Sequence, residues 1–377
     1  MQLENTVILL IQERLAQWFR ENKRDLPWRG ASPYAVWVSE IMLQQTQVAT
    51  AIPYFNRFLE RFPTIETLAS APIDEVLKYW AGLGYYARAR NLHKASQMVV
   101  ENFGGAVPND PKTLRSLPGV GRYTSGAILS IAYNLPEPIV DGNVIRVISR
   151  LFGIKGDPKS STNQGTLWEI AESLVPREAP GDFNQGLMEL GALVCEPAEP
   201  KCETCPLLQF CFAGNSPEPN AYPEIPAGKA TVRAVHVSAA LLNEKDEVLI
   251  VQRPLHGLWG GLWEFPRVKA LPGEKPSEAA VRAMQEAMGM KVEAIQSFGD
   301  VVHSVTHFRI KLHGVLTKSA LFSGEPILQN YVGMQWVGLY SLSNFALSAP
   351  QVLLKNQLID LISKKKRGGQ ASLTLEM

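Results

Sequence analysis

Cysteine is scarce in this chain of 377 residues, and the four present, Cys195, Cys202, Cys205 and Cys211, all fall in one short stretch. A disulfide framework is not expected of so long a chain with so few thiols and no signal peptide. Long apolar runs are missing too. Val7–Ile11 is broken by Gln12, Glu13 and Arg14, which suits an amphipathic helix rather than a secretory leader. Nothing approaches the roughly 20 apolar residues of a membrane span, so no membrane partner and a soluble, intracellular protein are expected. An excess of one charge is absent as well, the net charge being +1. The chain therefore has no overall basic footprint for nucleic acid. Residues 1–215 carry 20 Lys/Arg against 22 Asp/Glu, yet Lys78–Lys159 holds eleven Lys/Arg against five Asp/Glu. Any nucleic-acid surface must be one face of a domain.

The length predicts two domains. Helical periodicity dominates residues 3–195, without convincing alternating strands. Ser216–Gly228 then packs four prolines into thirteen residues and is expected to be an extended, semi-rigid linker. Beyond it, β-type runs at Val232–Leu242, Glu247–Arg253, Phe308–Leu316 and Met334–Val337 surround one helix at Ser277–Met288. The expected architecture is an all-α domain over 1–215, a linker over 216–229, an α+β domain over 230–363 and a basic tail over 364–377.

The chemistry concentrates in a few stretches. Leu114–Ile128 reads as helix, a Pro118-Gly119-Val120-Gly121 turn and a second helix opened by Arg122 and Thr124. Two glycines flanking one apolar residue permit positive φ and leave amides uncovered beside a helix N-terminus, an arrangement that holds phosphate without reading a base. Alone, such a turn would be an ordinary helix–helix connection. Asp141, in Val140-Asp-Gly-Asn-Val144, stands where a helix N-cap belongs. Glu40 is the only charged side chain between Arg29 and Arg57. A carboxylate among Trp37, Val38, Ile41 and Leu43, on a helix expected over about Pro33 to Thr50, is poorly solvated. Its pKa should be raised enough to hold a proton near neutrality, as a general acid requires. Gln44, Gln45 and Gln47 suit a solvated helix end, or amides that fill a gap in a base stack. Tyr85 and Tyr86 beside Arg88 and Arg90, after a Gly-rich turn, could wedge and clamp DNA. The C-x6-C-x2-C-x5-C spacing leaves zinc or a [4Fe–4S] cluster as its reading.

Leu-Pro-Gly-Val-Gly followed by Val-Asp-Gly-Asn-Val resembles the helix-hairpin-helix superfamily of DNA glycosylases. Leu26-Pro-Trp-Arg29, Val38-Ser-Glu-Ile-Met-Leu-Gln-Gln-Thr-Gln47, Gly82–Leu92 and the cysteine loop narrow the resemblance to the MutY-family adenine DNA glycosylases over about residues 15–212. That resemblance implies a [4Fe–4S] cluster on the four cysteines. It also implies hydrolytic removal of adenine from duplex DNA containing 8-oxoguanine:adenine or guanine:adenine pairs, leaving an abasic site. By the same likeness Glu40 would protonate the leaving adenine at N7 and Asp141 would stabilise the sugar cation or bond to it transiently. Tyr123 and Asn143 would arrange the site, while Trp28, Arg29, Gln185 and Met188 would line the adenine pocket. Gln45 and Tyr85 would occupy the partner-base position, and Arg88, Gly119, Val120, Gly121 and Arg122 would meet DNA. A monomer, cytoplasmic and nucleoid-associated in the bacterial manner, is expected.

The related endonuclease III-type enzymes place a Schiff-base lysine just after Gly-Val-Gly-Arg; here that position is Tyr123, which cannot form an imine. A non-catalytic iron–sulfur DNA-binding module would leave Glu40 without a purpose. Gly257-Leu-Trp-Gly-Gly-Leu-Trp-Glu-Phe-Pro266 resembles the Nudix-like domain of the same family, but Val268, Ala283 and Ala287 replace the glycine and two glutamates of a working Nudix box. Metal-dependent pyrophosphate hydrolysis is therefore not expected, and the domain's role should be recognition. The family reads 8-oxoguanine partly through a Phe-Ser-His loop, matched here by Val305-Thr306-His307.

Overall fold

The computed structural model describes residues 4–224, 226, 230–305, 307–319 and 327–367. The chain divides into two compact units, Met1–Ser70 with Asn91–Ala227, and Ala71–Arg90 with Gly228–Met377.

The first unit is helical. It contains α1 (Asn5–Asn22), α2 (Pro33–Leu43), α3 (Val48–Arg61) and α4 (Ile65–Ser70); α5 (Ile73–Trp80) lies in the other unit and α6 (Ala87–Phe103) begins there. Then follow α7 (Pro111–Arg115), α8 (Arg122–Tyr133), α9 (Gly142–Phe152), α10 (Ser161–Leu174) and α11 (Pro180–Leu193). The helix expected over about Pro33 to Thr50 is two helices. Ser32 caps α2 by accepting from the Ala35 amide, and Pro33 suits its first turn. The helix then stops at Gln44, where Gln45 takes φ +59. An apolar helix period cannot announce such a break, because no Gly or Pro marks it. Helix α2 is buried all round from Tyr34 to Met42, the pattern of a helix in the middle of a core rather than on a surface. Ile11, Leu15, Ile139, Val144, Ile148, Leu167, Phe183 and Leu190 form the core shared by α1, α8, α9, α10 and α11.

The stretch after Ser216, expected to be an extended, semi-rigid linker, is held by hydrogen bonds at Asn220 and Tyr222. Arg150 Nε donates to the Tyr222 carbonyl at 3.0 Å and Nη2 to Asn220 Oδ1 at 2.8 Å, while Asn220 Nδ2 donates to the Ala198 carbonyl. Docked carbonyls supply what proline-rich composition cannot reveal.

The second unit carries a four-stranded sheet ordered β4-β1-β6-β5 and a three-stranded sheet ordered β3-β2-β7. The strands are β1 (Val232–Leu241), β2 (Glu247–Gln252), β3 (Trp263–Glu264), β4 (Arg267–Lys269), β5 (Val292–Val305), β6 (Phe308–Ser319) and β7 (Gly333–Gly338). β1 runs parallel to β6 and the remaining pairs are antiparallel. Helix α12 (Pro276–Met288) lays Ala279, Ala283, Met284 and Ala287 on Val237, Leu241 and Val315. Helix α13 (Ala349–Arg367) packs Leu354, Leu358 and Ile362 against Val301 and Leu312. The basic residues expected after a final helix thus lie in its last turn, and residues 368–377 of the expected tail are outside the described residues. Strand β5 escaped the sequence reading because two register shifts, between Ala294 and Gln296 and between Ser297 and Gly299, break its alternation.

Candidate active site

One cleft of about 1090 Å³ opens in the helical unit. Trp28, Arg29, Glu40, Gln45, Gly119, Gly121, Arg122, Tyr123, Asp141, Asn143, Gln185 and Met188 all line it. Val120, Tyr85, Arg88 and His307 are not among the lining residues.

Glu40 is 3% exposed on α2. Burial pushes its carboxyl up to about 7, against a hydrogen bond from Tyr123 that favours the ionised form. The Tyr123 hydroxyl, one residue into α8, donates to Oε2 at 2.6 Å and has the Met188 sulfur 3.4 Å away. Asp141 caps α9 by accepting from the Val144 amide at 2.7 Å, and Asn143 Nδ2 donates to its other oxygen at 3.2 Å. Its surroundings are less polar than Asp-Gly-Asn suggests. Burial raises the Asp141 carboxyl, opposed by those hydrogen bonds and by Arg146. The two carboxyls are thus set apart by degree: one is buried with a single donor, the other carries a cap, an amide and a nearby cation.

Residues that sequence reasoning passed over complete the walls. Arg146 Nη2 donates to Asn143 Oδ1 at 2.9 Å and to the Gly191 carbonyl at 2.7 Å, while its Nε donates to the Cys195 carbonyl at 2.7 Å. One arginine therefore ties the Asp141 loop to the cysteine segment. A Cβ on Gly191 would stand 2.6 Å from that of Asn143, so only glycine lets α11 approach α9 this closely. Gln44 donates to the Thr124 hydroxyl at 3.2 Å, and Arg24 and Glu189 also face the cleft. Glu189 was findable, standing four residues after Gln185 on one helix face.

The hairpin borders the same cleft. Gly119 takes φ +79, and a Cβ there would meet the Asn91 Cβ at 2.9 Å. Gly121, expected to share that conformation, is instead extended as the N-cap of α8. The first amides of α8 have no intrahelical acceptor, which gives an anion its donors. Val120 is buried and anchors the turn. Arg122 lies over the Trp168 ring at 3.9 Å.

In the second unit, Tyr85 is 43% exposed with φ +47. Arg88 stacks between Trp80 and Tyr85 and donates to the Leu83 and Gly84 carbonyls. Its charge thus shapes the turn that presents Tyr85. The β5–β6 hairpin closes at Val305↔Phe308, and the His307 carbonyl accepts from Val232 at 2.8 Å. Thr306 lies outside the described residues. Of the remnant Nudix positions, Ala283 and Ala287 are core residues, while Glu274 and Glu286 are both bonded to Arg282. Carboxylates so committed, with alanine at the other two positions, make a poor magnesium site.

The four cysteines line one small cavity of about 30 Å³ with Val194, Pro200 and Leu208. Burial and the neighbouring thiols push Cys205 up to about 12, an energetic crowding that a bound cation relieves by taking the thiolates. Arg150 Nη1 and the Gly214 amide point at Cys195 and Cys211 sulfurs at 3.5 and 3.3 Å. Among the described residues no three His, Cys, Asp or Glu side chains are drawn together around a single ion.

Residues 38–173 match the family described as HhH-GPD superfamily base excision DNA repair protein, and residues 237–357 match the NUDIX domain. The adenine DNA glycosylase of Rattus norvegicus is 38% identical over 395 residues, spanning 90% of this chain and 76% of its own. That of Homo sapiens is 38% identical over 379 residues, spanning 86% and 69%. The adenine DNA glycosylase of Buchnera aphidicola subsp. Acyrthosiphon pisum (strain APS) is 33% identical over 350 residues, spanning 92% and 97%. A solved thermostable thymine-DNA glycosylase, 33% identical, superposes with a TM-score of 0.51 over 55% of this chain and 96% of its own. With a helical glycosylase unit, a Nudix-like α+β unit and relatives of this identity over most of its length, the chain belongs to the adenine DNA glycosylase family of base-excision repair enzymes and acts on DNA.

Proposed function

We propose that this enzyme removes adenine mispaired with 8-oxoguanine or guanine, leaving an intact abasic site. The observation that carries the reading is the meeting of a buried, proton-holding Glu40 and a hydrogen-bonded Asp141 in one cleft with Tyr123 and Asn143. Adenine is a poor leaving group until protonated, and bond cleavage then leaves positive charge on the sugar. Glu40 gives its proton to N7 as the C1′–N9 electrons depart with the base. Asp141 stabilises the sugar cation or bonds to it transiently. Water completes C1′ and returns a proton to Glu40. Trp28, Arg29, Gln185 and Met188 hold the extruded base, and Gln45 and Tyr85 occupy the partner side. Gly119, Gly121 and Arg122 grip phosphate, with Val120 anchoring their turn and Arg88 shaping the turn that carries Tyr85.

Cys195, Cys202, Cys205 and Cys211 would hold a [4Fe–4S] cluster, which would fasten the loop as a DNA-docking element and, with four thiolates as its ligands, would supply no hydrolytic site. Thr306 and His307 read the lesion across the β5–β6 hairpin. The enzyme works as a monomer, cytoplasmic and nucleoid-associated in the bacterial manner.

The deciding experiment incubates the protein with duplexes carrying adenine opposite 8-oxoguanine, guanine or cytosine, then cleaves abasic sites with alkali. Adenine release opposite the first two and little opposite cytosine is expected; release independent of the partner base sinks the mispair reading. Borohydride during turnover should trap little protein on DNA, since among the described residues no lysine lines the cleft. Thr306→Ala with His307→Ala should narrow the preference for 8-oxoguanine over guanine while leaving the excision itself intact.

A further inference from the structure

The cleft holds a third carboxylate with no part in that chemistry. Glu189 is 3% exposed, one turn of α11 beyond Gln185. It accepts from the Arg24 amide at 2.8 Å, from Arg24 Nε at 2.9 Å and from Arg24 Nη2 at 2.8 Å, with Arg29 Nη2 at 3.2 Å. Burial pushes this carboxyl up, but the Arg24 hydrogen bonds and both guanidinium charges outweigh it and hold it ionised. Arg29 is equally committed. Its Nε donates to the Arg24 carbonyl at 2.7 Å, its Nη1 to Gln185 Oε1 at 2.6 Å, and its plane lies over the Phe19 ring at 5.0 Å.

A guanidinium has donors and no acceptor, so Gln185 must turn its oxygen toward Arg29. The amide nitrogen then donates to the Gly181 carbonyl at 3.2 Å. Flipping the amide would set donor against donor and acceptor against acceptor at its two ends. We propose that Glu189 is a positioning residue that fixes the hydrogen-bonding polarity of the base-binding end of the cleft, holding Arg29 so that Gln185 meets an extruded base with its amide in one orientation only. The proposal rests on the placing of Arg29 and Gln185 in the base pocket.

Its consequence is chemical selectivity. Adenine presents an acceptor at N1 and a donor at N6; hypoxanthine reverses both. An amide that cannot flip discriminates between them, and an amide free to flip adapts to either.

The test is single-turnover excision of adenine and of hypoxanthine opposite the same partner base. Glu189→Gln should lower the adenine-to-hypoxanthine rate ratio about tenfold, the worth of roughly one hydrogen bond. Combining it with Gln185→Met should give the ratio of Gln185→Met alone, because the two act through one amide. Removing the charge leaves two arginines without their carboxylate, so Glu189→Asp, which keeps the charge but is one methylene too short to hold the same contacts, carries the test if Glu189→Gln does not fold. A fall in both rates by the same factor, or a ratio unchanged in the folded variant, overturns the proposal. Failure of the unaltered protein to release adenine at all would instead overturn the function proposed above.

Discussion

The Tyr123 hydroxyl donates to Glu40 Oε2 across 2.6 Å, joining α8 to α2 over 83 residues of sequence. The bond favours the carboxylate, whereas burial favours the acid and prevails, leaving Glu40 at about 7. An acid must carry its proton to work, so single-turnover excision should fall about tenfold per unit above that pH, and it should fall again toward acid as the raised Asp141 carboxyl takes up its proton. Tyr123→Phe removes a partner of the ionised form and therefore raises the Glu40 pKa. Its alkaline limb should shift to higher pH even as the plateau drops, and a limb that stays or moves down would contradict this geometry.

The same burial has a stability consequence. A carboxyl raised from 4.5 to about 7 on folding destabilises the folded state wherever the unfolded chain is ionised. The penalty is absent below about pH 4, grows through the window between the two values and levels off above 7 at about 3 kcal/mol. Glu40→Gln should melt higher than the unaltered protein at pH 8 and no higher at pH 4. Excision should drop by at least about 100-fold while duplex binding persists.

Asp141 has two jobs that one substitution separates. Asparagine caps a helix about as well as aspartate, so Asp141→Asn should keep α9 and change the melting temperature little. Loss of the charge should still leave excision severely impaired. A large fall in melting temperature with activity in proportion would reduce Asp141 to its cap.

Iron and sulfide analysis after anaerobic purification should return about four of each per chain. Cys202→Ser should lose the cluster and weaken duplex binding, since the loop it closes is built from single 3-10 turns at Cys202–Thr204, Leu208–Phe210 and Ala213–Asn215. Zinc alone in the purified protein would refute the assignment.

Gly119→Ala places a Cβ at φ +79 and 2.9 Å from Asn91. Strain and displacement together should cost about 1–2 kcal/mol of stability. Duplex affinity should fall because the turn's amides move. Gly121→Ala, extended and with open space around it, is the matched control for stability and should leave the melting temperature unchanged.

Much of this site is legible in residue types. A lone glutamate in an apolar helix and four clustered cysteines each point to a chemistry, because their alternatives leave a charge or a thiol unexplained, whereas Asp141 reads from its place before a helix only as a cap. A helical part followed by an α+β part is equally visible, since helix and strand periods differ, but nothing in those periods assigns Ala71–Arg90 to the second unit. What sequence concealed are features with no period: the break at Gln44–Gln47, the irregular β5, and the docking of Asn220 and Tyr222 on Arg150.

The sequence by itself determined which groups are available: an acid without solvent, a capping carboxylate, a glycine turn, a thiol cluster. Tertiary structure alone decided their partners. Tyr123 reaches Glu40, Arg146 joins Asn143 to Cys195, and Glu189 gathers Arg24 and Arg29. Hydrogen bonds act over about 3 Å, so which donor meets which acceptor depends on helix packing, and packing is a property of the assembled core rather than of any one segment.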